Sequence, residues 1–582
     1  ENAKKDGRGL LLLSPHLGNW ELTGLYFSSR YRMAALYSPP HIKEFEDYMI
    51  RVRGRLGSEL VRGDRRGLAR LIALLREGEV TGILPDQSPR GKGNAYAPFF
   101  GMDVRTMTLV SKLLQKSGAP VTTAPAQHDT SASDPATTRS HPSLRGWLGL
   151  AALTLVGLVV AGIVFQAPIN GLLSGRQLVS GPLTGEQRWS ADRIWELEGI
   201  VYVEDGARRT IEPGTRIEGR PGSALVVTRN ATLHAAGNTD LPIVFTSGQP
   251  QGTRAPGDWG GVVLLGSAPV NQSDAHIEGV PDNDPRGAFG GQDAASSCGV
   301  LEYARIEFAG FEVYANNELN GLTLGGCGSG TIVRHVQVHR SLDDGVEMFG
   351  GSADLRHILI TGAGDDSLDW DWGWRGRVQC LIAQQHPNSG DNAFEADNNG
   401  DQHNAEPMSE PVMYNVTLVS PRSHTRHHRA MTLREGTGGH FHNFFMHGFS
   451  GEAVDIKDAV TVANLGNGRL TFEALAINDI GSRGVSYFED ESGTADDDGG
   501  LDEARYFRDI VGARFAVNPM FSRDVGSTVN PDFTPGGGSP LKDGAVAPPQ
   551  GEFWDEAALY LGALRPGAAR DWTDGWTAFP LN

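Results

Sequence analysis

The sequence has few cysteines and few positive charges for its length. Three cysteines in 582 residues exclude a disulfide-rich scaffold. The 51 Lys and Arg residues against 70 Asp and Glu residues give a net charge of −19, so no nucleic acid is expected as a partner. Long uncharged apolar runs are also scarce. A chain of this length exceeds what one hydrophobic core supports, so at least two domains are expected.

One uncharged apolar run covers residues 146–165 (GWLGLAALTLVGLVVAGIVF). As a helix it is long enough to cross a hydrocarbon core of about 30 Å. Arg139 and Arg145 precede it, which predicts a cytoplasmic N-terminal side. A transmembrane or signal-anchor helix is therefore predicted over residues 146–166, with a cleaved signal peptide and a buried soluble helix as alternatives. We expect an inner-membrane protein whose C-terminal part is periplasmic or extracellular.

The two sides of this run differ in charge. Residues 1–145 carry 21 Lys and Arg against 14 Asp and Glu, a charge of +7, which leaves −26 for the remainder. A basic part suits anionic lipid head groups and acidic carrier proteins, and an acidic part suits an exported protein or a cation binder. Both balances can also be merely solubilising. Residues 127–145, rich in Ser, Thr, Pro and Ala, indicate a linker.

Short apolar strands alternate with helices in residues 1–126. Residues 9–14 form an apolar run before His16 and Glu21, residues 68–75 have helical spacing, and residues 80–84 form another apolar run. This alternation predicts an α/β sheet whose strand ends form the site. His16 and Glu21 can supply the general base and orienting carboxylate that acyl transfer to a hydroxyl needs, although a surface pair has the same spacing.

Several motifs resemble the lauroyl and myristoyl acyltransferases of lipid A biosynthesis in order and spacing: SPHLGNWEL, RGRLG, LREGEVTGILPDQ, APFFG and SGAPV. The resemblance covers about residues 8–123. It implies an acyl donor on acyl carrier protein or coenzyme A, a glycolipid acceptor at the membrane of a Gram-negative envelope, and no required cofactor. It makes His16 the general base and Glu21 its partner. It also implies substrate-binding roles for Asn19, Arg53, Asp86, Gln87, Phe99, Phe100 and Gly101.

Relative to that family, the sequence begins at Glu1 without the N-terminal membrane helix and becomes linker after Ala124. The resemblance therefore predicts an incomplete acyltransferase part with open apolar edges and little activity. Two function classes follow. One is an acyltransferase with an appended exported β-helix. The other is an exported calcium- or carbohydrate-binding protein that carries an inert acyltransferase fragment, through a gene fusion or an accidental join.

From residue 199 onward, short β-rich runs bounded by Gly, Asn and Asp replace the helical periodicity. Inward apolar positions, such as Val333, Val336 and Val338, recur in each run. The pattern predicts an all-β right-handed parallel β-helix over residues 180–582, with a β-sandwich as the alternative. TIEPGT, GDWGGVVLLG, HRSLDDG and DWTDGWT resemble secreted bacterial β-helix proteins of unassigned function, a pectate-lyase-like solenoid.

Acidic residues recur at matching positions of successive runs. Because neighbouring carboxylates repel, protons or hard cations must offset their charge, and calcium is the simplest cation outside the cell. Alternatively, these residues cap turns. A distant likeness of GAGDD, GTGGH and DIKD to polygalacturonases leaves a hydrolase as a further alternative. The predicted calcium ligands are Asp343, Asp344, Asp365, Asp366, Asp369 and Asp371.

Tryptophan, histidine and cysteine residues give three further predictions. Trp370, Trp372 and Trp374 form either a sugar-stacking platform or ordinary packing at the end of a turn. The cysteines allow one disulfide, between Cys298 and Cys327, with Cys380 left over. Six histidines are dense enough for zinc or copper but lack tight ligand spacing: His424, His427, His428, His440, His442 and His447.

Overall fold

The computed structural model describes residues 9–13, 27–37, 58–62, 65–83, 94–99, 102–107, 109–123, 175–314, 317–422, 428–481, 483–489 and 497–582. The apolar run at 146–165 lies outside these ranges. Within them, no helix combines the length and the apolar character that a membrane span needs. The chain forms two compact units, Glu1–Leu148 and Gly149–Asn582, which are described separately.

The N-terminal unit contains a five-stranded parallel sheet, as the strand and helix alternation predicted. Its strands and helices are β1 (Leu10–Leu13), β2 (Met33–Tyr37), β3 (Ser58–Arg62), α1 (Arg65–Arg76), β4 (Val80–Ile83), β5 (Asn94–Phe99), β6 (Met102–Met107), α2 (Leu109–Ser117) and β7 (Val121–Thr123). The sheet order is β3-β2-β4-β1-β7, and β5 and β6 form a separate antiparallel hairpin. Leu71 and Leu74 of α1 are fully buried against Leu11 and Ile83 of the sheet, which gives this unit its core.

The C-terminal unit is a solenoid in which strands of successive turns pair in parallel. These turns are called rungs below. Its strands are β8 (Arg176–Leu183), β9 (Glu186–Trp189), β10 (Ile194–Val203), β11 (Arg208–Ile211), β12 (Arg216–Gly219), β13 (Ala224–Val227), β14 (Thr232–Ala236), β15 (Ile243–Ser247), β16 (Val262–Leu265), β17 (Gly299–Glu307), β18 (Glu312–Tyr314), β19 (Asn317–Glu318), β20 (Leu322–Gly325), β21 (Ile332–His339), β22 (Val346–Phe349), β23 (Asp354–Thr361), β24 (Leu368–Asp371), β25 (Arg377–Gln384), β26 (Asn392–Ala396), β27 (Val412–Val419), β28 (Arg429–Leu433), β29 (Gly439–His447), β30 (Asp455–Ile456), β31 (Leu470–Asn478) and β32 (Arg514–Phe515). All of them except the β18–β19 hairpin belong to one 23-stranded sheet. The parallel β-helix prediction is confirmed, and the β-sandwich alternative is wrong.

In the long strand of each rung, two of the inward-facing apolar residues are three positions apart. The regular alternation of a β-strand would place them two positions apart. In β21, Val333, Val336 and Val338 are all buried, and they align with Leu355, Ile358 and Ile360 of β23. A residue with positive φ between the first two positions resets the alternation. In successive rungs this residue is Tyr303, His335, His357, Cys380, Asn415, Asn443 and Ala474.

Short helices occur near the C-terminal end of the solenoid, where the sequence predicted no helix. The first is α3 (Ala459–Asn467). Asp458 caps its N-terminus, because that carboxylate accepts hydrogen bonds from the backbone N–H groups of Val460 and Thr461. Phe507 packs into the main core near this end. The other helical segments near this end are α4 (Glu503–Arg505), a π-helix at Tyr506–Ile510 and a 3₁₀-helix at Pro540–Lys542, and a further 3₁₀-helix lies earlier in the described part of the solenoid, at Pro285–Gly287.

The predicted disulfide joins Cys298 to Cys327 and is confirmed. The first residue precedes β17 and the second follows β20, so the bond ties adjacent rungs of the solenoid. Cys380 is a buried free thiol. Burial raises its pKa to about 12, so it is an unreactive core residue.

Candidate functional site

The residues implied for acyl transfer lie almost entirely outside the described residues. Phe99 ends β5, where only its backbone is described. The described residues of this part show the β5–β6 hairpin and the parallel sheet. They do not show how the groups implied for acyl transfer are arranged. The residues outside are His16, Asn19, Glu21, Arg53, Asp86, Gln87, Phe100 and Gly101.

The described site is a set of carboxylates on one face of the short rung strands β22, β24 and β26. Glu347, Asp369 and Glu395 align in register, with Thr323 before them and Thr432 after them. Parallel strands pair about 4.8 Å apart, so each of these side chains lies directly beside the next. Hence the sequence spacing of the rungs stacks three acidic side chains in one column.

A second column lies where these strands begin, at Asn320, Asp344, Asp366 and Asn392. The Oδ1 atom of Asp344 accepts a hydrogen bond of 2.9 Å from the backbone N–H of Asp366. Asp366 Oδ1 in turn accepts one of 2.5 Å from the N–H of Asn392. The turn-capping alternative is therefore confirmed for these two aspartates. Each cap uses only one oxygen of its carboxylate.

Carboxylate oxygens from the two columns, together with those of Asp343 and Asp365, approach one another closely enough to share a cation. In each of three triplets, one oxygen per residue lies within 4.8 Å of the others. Asp344 and Asp369 each belong to two triplets. The triplets are Asp343, Asp344 and Asp365; Asp344, Glu347 and Asp369; and Asp366, Asp369 and Glu395. These seven residues are called the carboxylate cluster.

Burial makes negative charge costly in this cluster. Asp344 and Asp366 are 7% and 3% exposed. Burial first, and then the neighbouring carboxylates, raise the pKa of Asp344, Glu347, Asp366 and Asp369 well above the ordinary range. The same two causes raise the pKa of Asp343 to about 7. The cluster must therefore hold either protons or cations near neutral pH.

One carboxylate oxygen of Asp369 is left without a hydrogen bond by the described part of the chain. Its Oδ1 atom is buried and has no hydrogen-bond partner there. An unsatisfied buried acceptor is expensive, so a native structure rarely leaves one. Asp369 also belongs to two of the three triplets, the one with Glu347 and the one with Glu395. This atom therefore marks where a ligand of the cluster would bind.

A cation reaches the Glu395 edge of the cluster. Arg434 pairs with Asp397 at 3.0 Å and with Glu395 at 2.7 Å. Despite this cation, burial raises the pKa of Glu395 to about 7 and that of Asp397 to about 6. Asp371, whose pKa burial raises to about 8, accepts a hydrogen bond from the N–H of Trp372 and joins none of the triplets.

Of the six predicted calcium ligands, the structure brings together five. These are Asp343, Asp344, Asp365, Asp366 and Asp369. The prediction for Asp371 is not supported. Sequence reasoning missed Glu347 and Glu395, although each lies three residues after Asp344 or Asn392, just as Asp369 lies three residues after Asp366. This common three-residue spacing is the signal in the sequence that could have identified both glutamates.

The tryptophans beside the cluster are structural. Trp370 and Trp374 are 0% exposed and belong to the main core. Trp372 is partly buried and stacks on Phe289 at 5.8 Å between ring centroids. The sugar-stacking platform is therefore wrong, and the packing alternative is confirmed.

The predicted histidine group does not form a metal site within the described ranges. His424 and His427 lie outside them. His440 interacts with Thr471 and Glu410, and His442 stacks on Tyr414. In the described part of the chain, no group of three close metal-ligating side chains includes a histidine.

The parallel β-helix fold defines the class of the C-terminal part. A family model described as a pectate-lyase-like beta helix domain matches residues 181–496, more than half of the chain. The chain therefore belongs to the pectate-lyase-like β-helix family. The N-terminal part is similar to another family, since the model for the bacterial lipid A biosynthesis acyltransferases matches residues 1–156.

Two curated relatives match the N-terminal part. They are a lipid A biosynthesis palmitoleoyltransferase from Escherichia coli (strain K12) and a lipid A biosynthesis acyltransferase from Shigella flexneri. Each is 30% identical over 124 residues, which is 21% of this chain and 40% of the relative. The chain thus spans about two fifths of the length of the curated relatives that it matches.

Proposed function

We propose that the β-helix binds a divalent cation, with calcium as the first candidate, in the carboxylate cluster. The observation that carries the proposal is Asp369, which has a buried oxygen without a partner among the described residues and lies in two carboxylate triplets. Calcium takes six to eight oxygen ligands and accepts irregular geometry. Three carboxylates per triplet supply part of such a shell, and backbone carbonyls or water would supply the rest.

A cation fits the charge of the cluster better than an acidic sugar does. Arg434 pairs with Glu395, while Asp344 is repelled by the carboxylates of Glu347 and Asp366, and the same repulsion would act on an anionic substrate. Protons are the competing solution, because the pKa of each described member with a resolved shift is raised. Calcium should therefore displace protons, and its affinity should rise with pH.

Calorimetric titration of the full chain with calcium chloride at about pH 8 tests this proposal. We expect saturable binding to the wild type. Asp369→Asn should lower the calcium affinity by at least about tenfold, because loss of a residue that only supports a metal ligand already lowers metal affinity by that factor. Asp240→Asn, at an exposed loop position, is the matched control and should bind as the wild type does. Wild-type protein that takes up no calcium, or equal affinity in Asp369→Asn, would contradict the proposal.

A second proposed function belongs to the N-terminal part. It is transfer of a fatty acyl chain from acyl carrier protein or coenzyme A to a hydroxyl of a lipid A precursor or a related glycolipid. The match to the lipid A acyltransferase family over residues 1–156 favours it. In this proposal His16 is the general base and Glu21 orients it, at the cytoplasmic face of the inner membrane, with the β-helix on the other side of the membrane.

Membranes containing the full chain provide the test. They would be supplied with a lipid A precursor and with radiolabelled acyl chains on acyl carrier protein or on coenzyme A. Labelled acylated product above that of membranes without the chain is expected. Absence of product with both donors would favour the other function class, in which this part is inert.

A further inference from the structure

Residues 516–582, called the C-terminal tail, lie along the outer face of the long rung strands. Gln337 of β21 donates a hydrogen bond from Nε2 to the carbonyl of Ala578 and accepts one at Oε1 from the N–H of the same residue, at 2.7 and 2.9 Å. Gln379 makes the same pair of bonds with Asp555, and Asn443 makes it with Val546. These amides contact the tail backbone as a neighbouring strand would.

The tail also covers apolar side chains that point out of the solenoid. Leu359, Ile382 and Val419 are 0% exposed because they pack against tail residues such as Phe533 and Leu564. Lifting the tail would uncover this apolar surface, so hydrophobic burial holds the tail in place at neutral pH. Detachment of the tail would therefore have to be driven by a change in the polar groups beneath it.

Two stacked histidines lie under the tail. The rings of His335 and His357 are 4.3 Å apart, and the tail residues Trp576 and Trp572 pack against them at 6.0 and 5.3 Å. The Nδ1 atoms of both histidines are buried and make no hydrogen bond with the described residues. Both rings are therefore packed as neutral, flat groups.

A second histidine pair lies under the last residues of the tail. His339 donates a hydrogen bond from Nε2 to the carbonyl of Pro580 at 2.9 Å, and His386 lies 6.1 Å from it between ring centroids. Among the described residues, the ionisable groups that act on the four histidines are other histidines and arginines, whose charges repel an imidazolium; the Pro580 carbonyl offsets this in part at His339. The arginines are Arg305, Arg334, Arg340 and Arg356.

We propose that the C-terminal tail is an acid-released strap, which covers this face at neutral pH and lifts away when the histidines beneath it take up protons. Detachment would hydrate His335 and His357 and separate them from the indole rings of the tail. The same step would expose the outward apolar column around Leu359. Acidification would thereby convert a covered face into an apolar surface.

Burial first, and then the neighbouring cations, lower the pKa of His335 and His339 to about 4 and that of His357 and His386 to about 3. A released histidine returns to an ordinary pKa of about 6.5. Attachment is therefore fully favoured above about pH 6.5 and weakens as the pH falls toward 4, because the released state binds more protons. Within the tail, burial alone would raise the pKa of Asp532, but hydrogen bonds from Ser522 and Thr534 and the charge of Arg523 outweigh it and lower the pKa, so that group titrates below this window.

Hydrogen exchange of the full chain, measured by mass spectrometry and corrected for the intrinsic effect of pH, tests the strap. Peptides from residues 545–582 should lose protection between about pH 6.5 and 4, while peptides from β23 to β27 keep theirs. The double variant His335→Phe and His357→Phe keeps two flat rings and removes no hydrogen bond found in the described residues. It should shift the release to lower pH by at least about one unit. His234→Phe, on β14, is the control and should release as the wild type does.

Three outcomes would overturn the proposal. The tail could stay protected in the wild type down to about pH 3, below the window in which the histidines gain protons. The double variant could release its tail at the wild-type pH, which would remove the histidines as the cause. The tail and the core strands could also lose protection together, which would show global unfolding instead of release.

Discussion

Replacing His16 with alanine is expected to lower acyl transfer by at least about 100-fold, in an acyltransferase part extended to the length of its relatives. General base catalysis by a positioned histidine contributes about 100-fold to 10,000-fold, and no other group is proposed to take the hydroxyl proton. Glu21→Ala should reduce transfer severely, because it removes the carboxylate that holds the imidazole in place. Product formation from labelled donor and lipid A precursor is the measurement.

His41 is the matched control for this prediction, because it lies in the same part but outside the matched motif. His41→Ala should leave transfer unchanged, which separates catalysis from general damage to the fold. Near-normal turnover in His16→Ala would remove the base assignment.

Trp370→Ala is expected to destabilise the β-helix by about 3–5 kcal/mol, the usual cost of emptying a large aromatic site in a core. Trp370 is fully buried, packs against Phe394 and Phe441, and donates a hydrogen bond from Nε1 to Thr437 Oγ1. Truncation therefore leaves a cavity and removes a hydrogen bond that the Thr437 hydroxyl accepts. Urea unfolding of the full chain, monitored at the β-sheet signal, measures the loss.

Trp372→Ala provides the comparison, because that ring is only partly buried. It should cost clearly less than Trp370→Ala. Equal stability of the Trp370→Ala variant and the wild type would contradict the core assignment of Trp370. It would also restore the possibility that this ring serves a ligand.

Apolar periodicity was enough to predict the solenoid, because every rung repeats the same inward positions. Val333, Val336 and Val338 were assigned to the core from spacing alone, and they are buried. The bend between the first two was not predicted, because no single residue type marks it. Tyr, His, Cys, Asn and Ala all adopt positive φ at that position, so the constraint comes from the stacked rungs and not from local preference.

The site was predicted in part. The Asp-Asp pairs at Asp343 and Asp365 stood out as acidic repeats, whereas Glu347 and Glu395 are single glutamates within strands. Only the register of the rungs places those glutamates beside Asp369. The tail escaped prediction for a similar reason. Its contacts with Gln337 and Asn443 join residues more than a hundred positions apart through backbone atoms, which leave no side-chain pattern in the sequence.

Thermal unfolding of the full chain, with calcium and with chelator, tests the cation site most directly when it is followed from about pH 4 to about pH 8. The raised pKa values of Asp343 and Glu395 in the cluster, and of Asp371 beside it, mean that protonation of these carboxylates stabilises the fold at low pH. With chelator, stability should therefore fall as the pH rises from about 4, the ordinary carboxylate pKa, to about 8 and then level off. At about pH 8, calcium at a hundredfold excess over its dissociation constant should restore about 2.7 kcal/mol, and this gain should vanish near pH 4. Identical unfolding midpoints with calcium and with chelator at about pH 8 would contradict the account.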